Sequence, residues 1–98
     1  MRAESPIERK LRRAAADPQA RIVVDIREST LFDAAILSLL VRLGKQLRAA
    51  GGDLVVVCRD ATLRRLLGIT MLDAAFGVQP TRAAAFVAVH GVGSPHRR

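Results

Sequence analysis

The sequence predicts a small α/β domain with an open, mainly parallel three-stranded sheet and about four helices. Two apolar runs, near residues 21–26 and 53–58, are rich in β-branched residues and do not alternate with polar ones. Such runs are typical of strands covered on both faces of a parallel sheet. A helical pattern separates the two runs, and strands joined by such a crossover are expected to pair as a right-handed parallel unit.

The helix between these strands is predicted near residues 34–50. Apolar residues recur along one of its faces at helical spacing, namely Ile36, Leu40, Leu43 and Leu47. Asp33 precedes the helix, where its carboxylate can accept a hydrogen bond from an N–H group of the first turn. Gly51 and Gly52 follow the helix and supply the left-handed backbone that commonly ends one.

A first helix is predicted near residues 6–17. Ser5 and Glu8 form a capping box around Pro6, and proline is favoured at the first helical position. Four residues give this helix a modest apolar stripe: Ile7, Leu11, Ala14 and Ala15. The Asp17–Pro18 pair ends the pattern, because a residue before proline avoids the helical conformation.

The second half of the chain is predicted to hold two shorter helices and a very short strand. Asp60 is expected to cap a helix near residues 61–67 that Gly68 stops, and a strand is expected near residues 76–78. Thr81 is expected to cap the last helix, near residues 82–90. The apolar faces are predicted to consist of Leu63, Leu66 and Leu67 in the first of these helices, and of Ala85, Phe86 and Val89 in the second.

The charge balance bears on the class of partner. Sixteen Lys and Arg residues against nine Asp and Glu residues give a net charge of +7. A basic protein can bind nucleic acid, but such surfaces usually add aromatic stacking groups, and this chain has three Phe residues and neither Trp nor Tyr. A protein-interaction module is therefore favoured, and a basic nucleic-acid-binding protein is the alternative.

The residue types that carry catalysis or bind metals do not occur in the necessary patterns. The only cysteine, Cys58, has no His or acidic residue at ligand spacing and is expected to be a small buried side chain. We expect no enzyme activity, no metal and no cofactor. Because the N-terminus lacks a hydrophobic leader and no apolar run is long enough to span a membrane, we expect a cytoplasmic protein. Residues 1–91 are predicted to form one domain, and residues 92–98 a flexible basic tail.

Five short pieces of sequence follow one another in a recognisable order. Residues 24–26 read Val-Asp-Ile, and residues 31–37 read Leu-Phe-Asp-Ala-Ala-Ile-Leu. Residues 50–57, 63–67 and 70–76 complete the series. Together they resemble the STAS domain of bacterial anti-sigma-factor antagonists, in which a strand ending in Asp-Leu is followed by a short loop and by Asp-Ser-Ser-Gly-Leu at the start of a helix. The resemblance covers residues 5–89.

The resemblance implies a role in transcription regulation through protein–protein interaction. In the family, the serine two positions after the aspartate is phosphorylated by a partner kinase that also acts as an anti-sigma factor. That position is Ala35 here, the preceding family serine is Ala34, and the family glycine is Ile36. The phosphoacceptor is therefore lost, and the domain is expected to be locked in its unmodified-like state.

The resemblance also implies which residues contact a partner. They are Ser29, Thr30, Asp33, Ala34, Ala35 and Ile36. The expected partners are an anti-sigma factor, a switch-type serine kinase or another STAS protein. If the loop still reaches its partner, the domain is a constitutive antagonist; if Ile36 blocks the approach, it binds something else or is a decayed paralogue. Asp33 has a purely structural alternative role as a helix cap, and Ser29 or Thr30 are candidate substitute phosphoacceptors.

The family begins with a β-hairpin before its first helix, and this sequence begins directly with the predicted helix. We therefore expect the strand edge from Arg21 to Ile26 to lack a neighbour. Exposed strand edges recruit other strands. The expectation is that the protein self-associates through this edge or accepts a strand from a partner.

Overall fold

The computed structural model describes residues 5–27, 30, 33–70 and 75–90. Within these ranges the chain forms helix α1 (Pro6–Ala14), strand β1 (Arg21–Asp25), helix α2 (Ala34–Ala49), strand β2 (Asp53–Val57), helix α3 (Ala61–Ile69), strand β3 (Gly77–Gln79) and helix α4 (Arg82–His90). The predicted α/β fold is confirmed. The largest shift in a boundary is at the end of α1, which stops three residues before Asp17 because residues 15–19 form turns.

The three strands form one parallel sheet in the order β1-β2-β3. Val24 of β1 lies opposite Val56 of β2, which lies opposite Val78 of β3. All five residues of the central strand are buried. This explains why the sequence of β2 does not alternate between apolar and polar residues.

Helices cover the sheet on both faces. On one face, Leu54 and Val56 pack in a core with residues of α1, α2 and α3, the buried ones being Leu11, Ile36, Leu39, Leu40, Leu43, Leu47, Leu63 and Leu67. On the other face, Val55 and Val57 pack against Ala85 and Val89 of α4. Successive side chains of β2 therefore enter different cores, as the pleat of a strand requires.

The predicted helix caps are confirmed. The Ser5 hydroxyl accepts a hydrogen bond from the Glu8 N–H at 3.2 Å, and the Glu8 carboxylate accepts one from the Ser5 N–H at 3.0 Å. The Asp60 carboxylate accepts hydrogen bonds from two N–H groups in the first turn of α3. The Thr81 hydroxyl accepts one from an N–H group in the first turn of α4. Gly51 has a φ of 98° and forms the predicted left-handed exit from α2.

Gly44, in the middle of α2, was not singled out by the sequence pattern. A Cβ atom at this position would overlap the backbone carbonyl of Ala75 and press on Phe76, which is completely buried. The missing side chain therefore lets α2 approach the segment before β3 closely. A glycine in a helix interior lowers stability by about 1 kcal/mol relative to alanine. The close approach of α2 to Ala75 and Phe76 explains why glycine occupies this position.

Three local predictions were wrong. Gly68 does not stop α3, which continues to Ile69 and ends at Thr70, whose hydroxyl donates hydrogen bonds to the carbonyls of the preceding turn. Leu66 and Phe86 were expected on apolar faces, but 46% and 61% of their surfaces are exposed. Helices of nine residues are too short for spacing alone to tell which apolar residues meet the sheet.

A test of the core is to shorten Leu40, which is completely buried in α2. We expect Leu40→Ala to lower the free energy of unfolding by about 2–5 kcal/mol, because it leaves a cavity in the core. Leu66→Ala is the control, and its effect should be under about 1 kcal/mol because the side chain is half exposed. Urea denaturation measures both, and equal effects would contradict this packing.

Candidate functional site

The start of α2 is the centre of the predicted site, and Asp33 shapes it. One carboxylate oxygen of Asp33 accepts hydrogen bonds from the N–H groups of Ala35 at 2.9 Å and Ile36 at 3.3 Å. The Asp33 N–H itself donates to the Thr30 carbonyl at 3.0 Å. The predicted capping role is therefore confirmed, and the loop before α2 is joined to the helix by a backbone hydrogen bond.

The residues of this helix start differ in exposure. Asp33 and Ala34 are exposed, while Ala35 and Thr30 are half-buried. Ser29, which was also predicted to contact a partner, lies outside the described residues. The structure thus brings Asp33, Ala34 and part of Ala35 to one accessible helix end.

Ile36 requires a correction, since it was included among the partner-binding residues. Only 2% of its surface is exposed, and it packs in the core with the other apolar residues of α2. It is the first residue of the apolar stripe, and the stripe faces the sheet. Its side chain therefore lies in the core and is not part of the exposed helix end.

A charged cluster lies at the carboxyl end of β1, and it was not predicted from the sequence. The Asp25 carboxylate accepts two hydrogen bonds from Arg59, at 3.0 and 3.2 Å, and the Nε of Arg82 lies 3.4 Å from it. Arg59 follows β2, and Arg82 is the first residue of α4. A signal was available, because the carboxyl ends of parallel strands meet at one edge of a sheet and Asp25 lies opposite Val57, two residues before Arg59.

The described residues offer little for metal or nucleophilic chemistry. Within the described ranges, no group of three His, Cys, Asp or Glu side chains is placed to hold a metal ion. The side chain of Cys58 is completely buried, as predicted. No helix in the same ranges is both long and apolar enough to cross a membrane. The accessible features at this end of the sheet are a capped helix start and a set of ion pairs.

Comparison with known proteins identifies the family. The model of the STAS domain matches residues 2–85, which is most of the chain. The chain belongs to the STAS domain family. Neither the search of curated proteins nor the search of solved structures found a match. The predicted resemblance is therefore confirmed at the level of the domain family, and the small parallel α/β fold is consistent with it.

Membership of the STAS family gives the site its general character. STAS domains in general mediate protein–protein interactions and are in general non-catalytic. In this STAS domain the exposed start of α2 lies in the segment that reads Asp33-Ala34-Ala35-Ile36, the same segment that carried the resemblance. This helix end is accessible at Asp33 and Ala34 and is capped by the Asp33 carboxylate.

The ion pairs at the sheet edge predict a pH effect. The hydrogen bonds from Arg59, helped by the nearby charges of Arg59 and Arg82 and opposed by partial burial, lower the pKa of the Asp25 carboxyl from its ordinary value of 3.8. The folded state thus binds this proton less readily than the unfolded state. The stabilisation is fully present above the ordinary value and is lost as the pH falls through the lowered pKa.

We therefore expect Arg59→Gln to raise the pKa of Asp25 towards 3.8, and Arg82→Gln to raise it by less, because Arg82 makes the longer contact. NMR titration of the Asp25 carboxyl carbon measures both shifts. Asp25→Asn should also flatten the fall in unfolding free energy below about pH 4. An unchanged Asp25 titration in Arg59→Gln would contradict the assignment of the cause.

Proposed function

We propose that this STAS domain is a non-catalytic interaction module related to the anti-sigma-factor antagonists, and that it binds its partner through the start of α2. The observation that carries the proposal is the accessible helix end at which Asp33 and Ala34 are exposed. The hydrogen bonds from Ala35 and Ile36 to Asp33 hold this end in one conformation. A preformed surface lowers the entropic cost of binding.

The second part of the proposal is that phosphorylation does not switch this surface. The position that corresponds to the family's phosphoacceptor is Ala35, and a methyl group cannot accept phosphate. A phosphate here would add about two negative charges beside the Asp33 carboxylate and would change the surface presented to a partner. Without a hydroxyl, the domain stays in the unmodified-like state and acts constitutively.

The burial of Ile36 favours constitutive binding over a blocked site. A branched side chain in place of the family glycine would hinder a partner's backbone only if it projected from the surface. Its exposure of 2% leaves that surface to Asp33 and Ala34. This supports an antagonist that still binds rather than a decayed paralogue.

The proposed partners are an anti-sigma factor, a switch-type serine kinase or another STAS protein. Transcription regulation in the bacterial cytoplasm is the proposed setting. The buried thiol of the single cysteine, Cys58, supports that compartment, because secreted domains of this size commonly rely on disulfides.

A phosphorylation assay tests the loss of the switch. Incubated with ATP and each switch-type kinase encoded in the source genome, the wild-type protein should take up no phosphate at the start of α2. Ala35→Ser should gain phosphate at that residue, and Ala34→Ser is the matched control one position away. Mass spectrometry locates the modification. Phosphate on Ser29 or Thr30 of the wild-type protein would overturn the proposal that phosphorylation does not switch this domain.

A binding assay separates the partner role of Asp33 from its capping role. Asparagine caps a helix about as well as aspartate, so Asp33→Asn should leave the melting temperature nearly unchanged. If the carboxylate contacts the partner, the same change should weaken binding to the cognate anti-sigma factor by about tenfold or more, as for a charge in an interface. Asp60→Asn, at the equivalent cap of α3, should weaken it less than about twofold.

Isothermal titration calorimetry with the purified anti-sigma factors measures these affinities. If the wild-type protein and the Asp33→Asn variant bind an anti-sigma factor equally well, Asp33 is not part of the contact surface. Failure of every anti-sigma factor and switch kinase to bind the wild-type protein would overturn the proposed function itself.

A further inference from the structure

A groove of about 610 Å³ lies beside β1 and extends to Thr30, whose carbonyl accepts a hydrogen bond from the Asp33 N–H. Five consecutive residues from the strand and the position after it line the groove, namely Ile22, Val23, Val24, Asp25 and Ile26. Successive side chains of a strand point to opposite faces of the sheet. A groove that touches all five must therefore run along the edge of the strand rather than over one face.

This edge has no neighbouring strand among the described residues, because β1 is the terminal strand of the sheet and pairs with β2 on its other side. The N–H and C=O groups on the groove side of β1 are thus placed for hydrogen bonds to an incoming backbone. Five residues of strand span roughly 17 Å, which is the length of an ordinary strand.

The opposite wall of the groove is one face of α1. Ile7, Lys10, Leu11 and Ala14 line it, and their spacing of three, four and seven residues places them on one side of the helix. Leu11 is buried in the core, but Ala14 is exposed and Ile7 exposes 37% of its surface. The predicted apolar stripe of α1 is therefore only partly covered, and the uncovered part faces the groove.

The charges along the groove favour one kind of occupant. Lys10 and Arg27 line it and are exposed. The one acidic residue in the lining, Asp25, has its charge offset by Arg59 and Arg82. A strand that carries acidic residues is attracted here. A second copy of this chain, with its net charge of +7, brings the same cations to the same rim and is repelled.

We propose that the groove between α1 and the free side of β1 is a second docking surface, which accepts an extended strand from an acidic partner protein. The partner's backbone continues the sheet beyond β1. Its apolar side chains, at every second position, cover Ile7 and Ala14, and its acidic residues lie against Lys10 and Arg27. This surface shares Thr30 with the segment before α2 but does not include Asp33, so the Asp33→Asn assay tests binding at the start of α2 separately from this proposal.

A titration with synthetic peptides tests this proposal. The probe is an acetylated and amidated peptide of sequence Glu-Val-Thr-Val-Thr-Val-Glu, added to ¹⁵N-labelled protein and followed by NMR. We expect saturable shifts of amide signals in residues 22–27 and on the groove side of α1. A peptide with proline in place of both the central valine and the threonine after it should not bind, because one of these two N–H groups must point towards β1 and proline cannot donate to the ladder. A peptide with both glutamates changed to lysine should bind more weakly.

Variants of the protein connect the binding to this groove. The double variant Lys10→Glu with Arg27→Glu should weaken binding of the acidic peptide by about tenfold and strengthen binding of the lysine peptide. Lys45→Glu is the matched control, because Lys45 is an exposed lysine of α2 outside the groove. It should change either affinity less than about twofold.

Three results would overturn the proposal. One is the absence of saturable shifts along β1 at millimolar peptide. Another is equal binding of the proline peptide, which would show that no strand is added to the sheet. The third is a dimer of the protein itself, seen by sedimentation and abolished by Ile7→Asp, which would show that a second copy occupies the groove. Each result leaves the calorimetric test of Asp33 unaffected.

Discussion

The fold depends on the burial of strand β2 between two layers of helices. Its five residues are all buried. The side chains on both of its faces must therefore be apolar or have their polar atoms hydrogen-bonded. Asp53, at the start of the strand, meets the second condition, since its carboxylate accepts hydrogen bonds at 2.8 Å from the Nε of Arg48 and from the Leu54 N–H. Its side chains enter both cores, Leu54 and Val56 on one face of the sheet and Val55 and Val57 on the other.

The same constraint determines where the candidate functional surface lies. In a parallel sheet covered by helices, the carboxyl ends of the strands and the start of each following helix meet at one edge. Asp33 and the group of Asp25, Arg59 and Arg82 are brought to that edge by this topology and not by closeness in sequence. The helix start is capped from within the chain by Asp33. Under the proposed function, a partner meets a surface that is already formed, and Ala35 in place of the family's serine removes the switch.

The predictable part of the structure consists of features that are local in sequence. Four residues cap helices through hydrogen bonds to residues within three positions, namely Ser5, Asp33, Asp60 and Thr81. The apolar runs that do not alternate with polar residues predicted that helices cover the sheet on both faces. Two features were not predicted because they depend on residues distant in sequence. The contact of Gly44 with Ala75 and the pairing of Asp25 with Arg59 both require the packed sheet.

Ile36 shows how two sequence arguments can conflict. Its spacing with Leu40, Leu43 and Leu47 predicted a core residue, while its place in the family motif suggested a partner contact. The core position is the one that the structure shows, since the side chain packs with the stripe that faces the sheet. The α1 stripe shows the opposite case. Its spacing predicted core residues at Ile7 and Ala14, but both are exposed in the part of the chain that the structure describes, and they line the groove beside β1.

The measurement that tests this account most directly is native-state hydrogen exchange of the backbone amides, followed by NMR. The amides of β2 that bond within the sheet should exchange only on global unfolding, because this strand joins both cores. In β1 slow and fast amides should alternate, since every second N–H group points away from β2 into the groove. Uniformly slow exchange along β1 would show that another element covers its edge, and fast exchange in β2 would contradict its place at the centre of the fold.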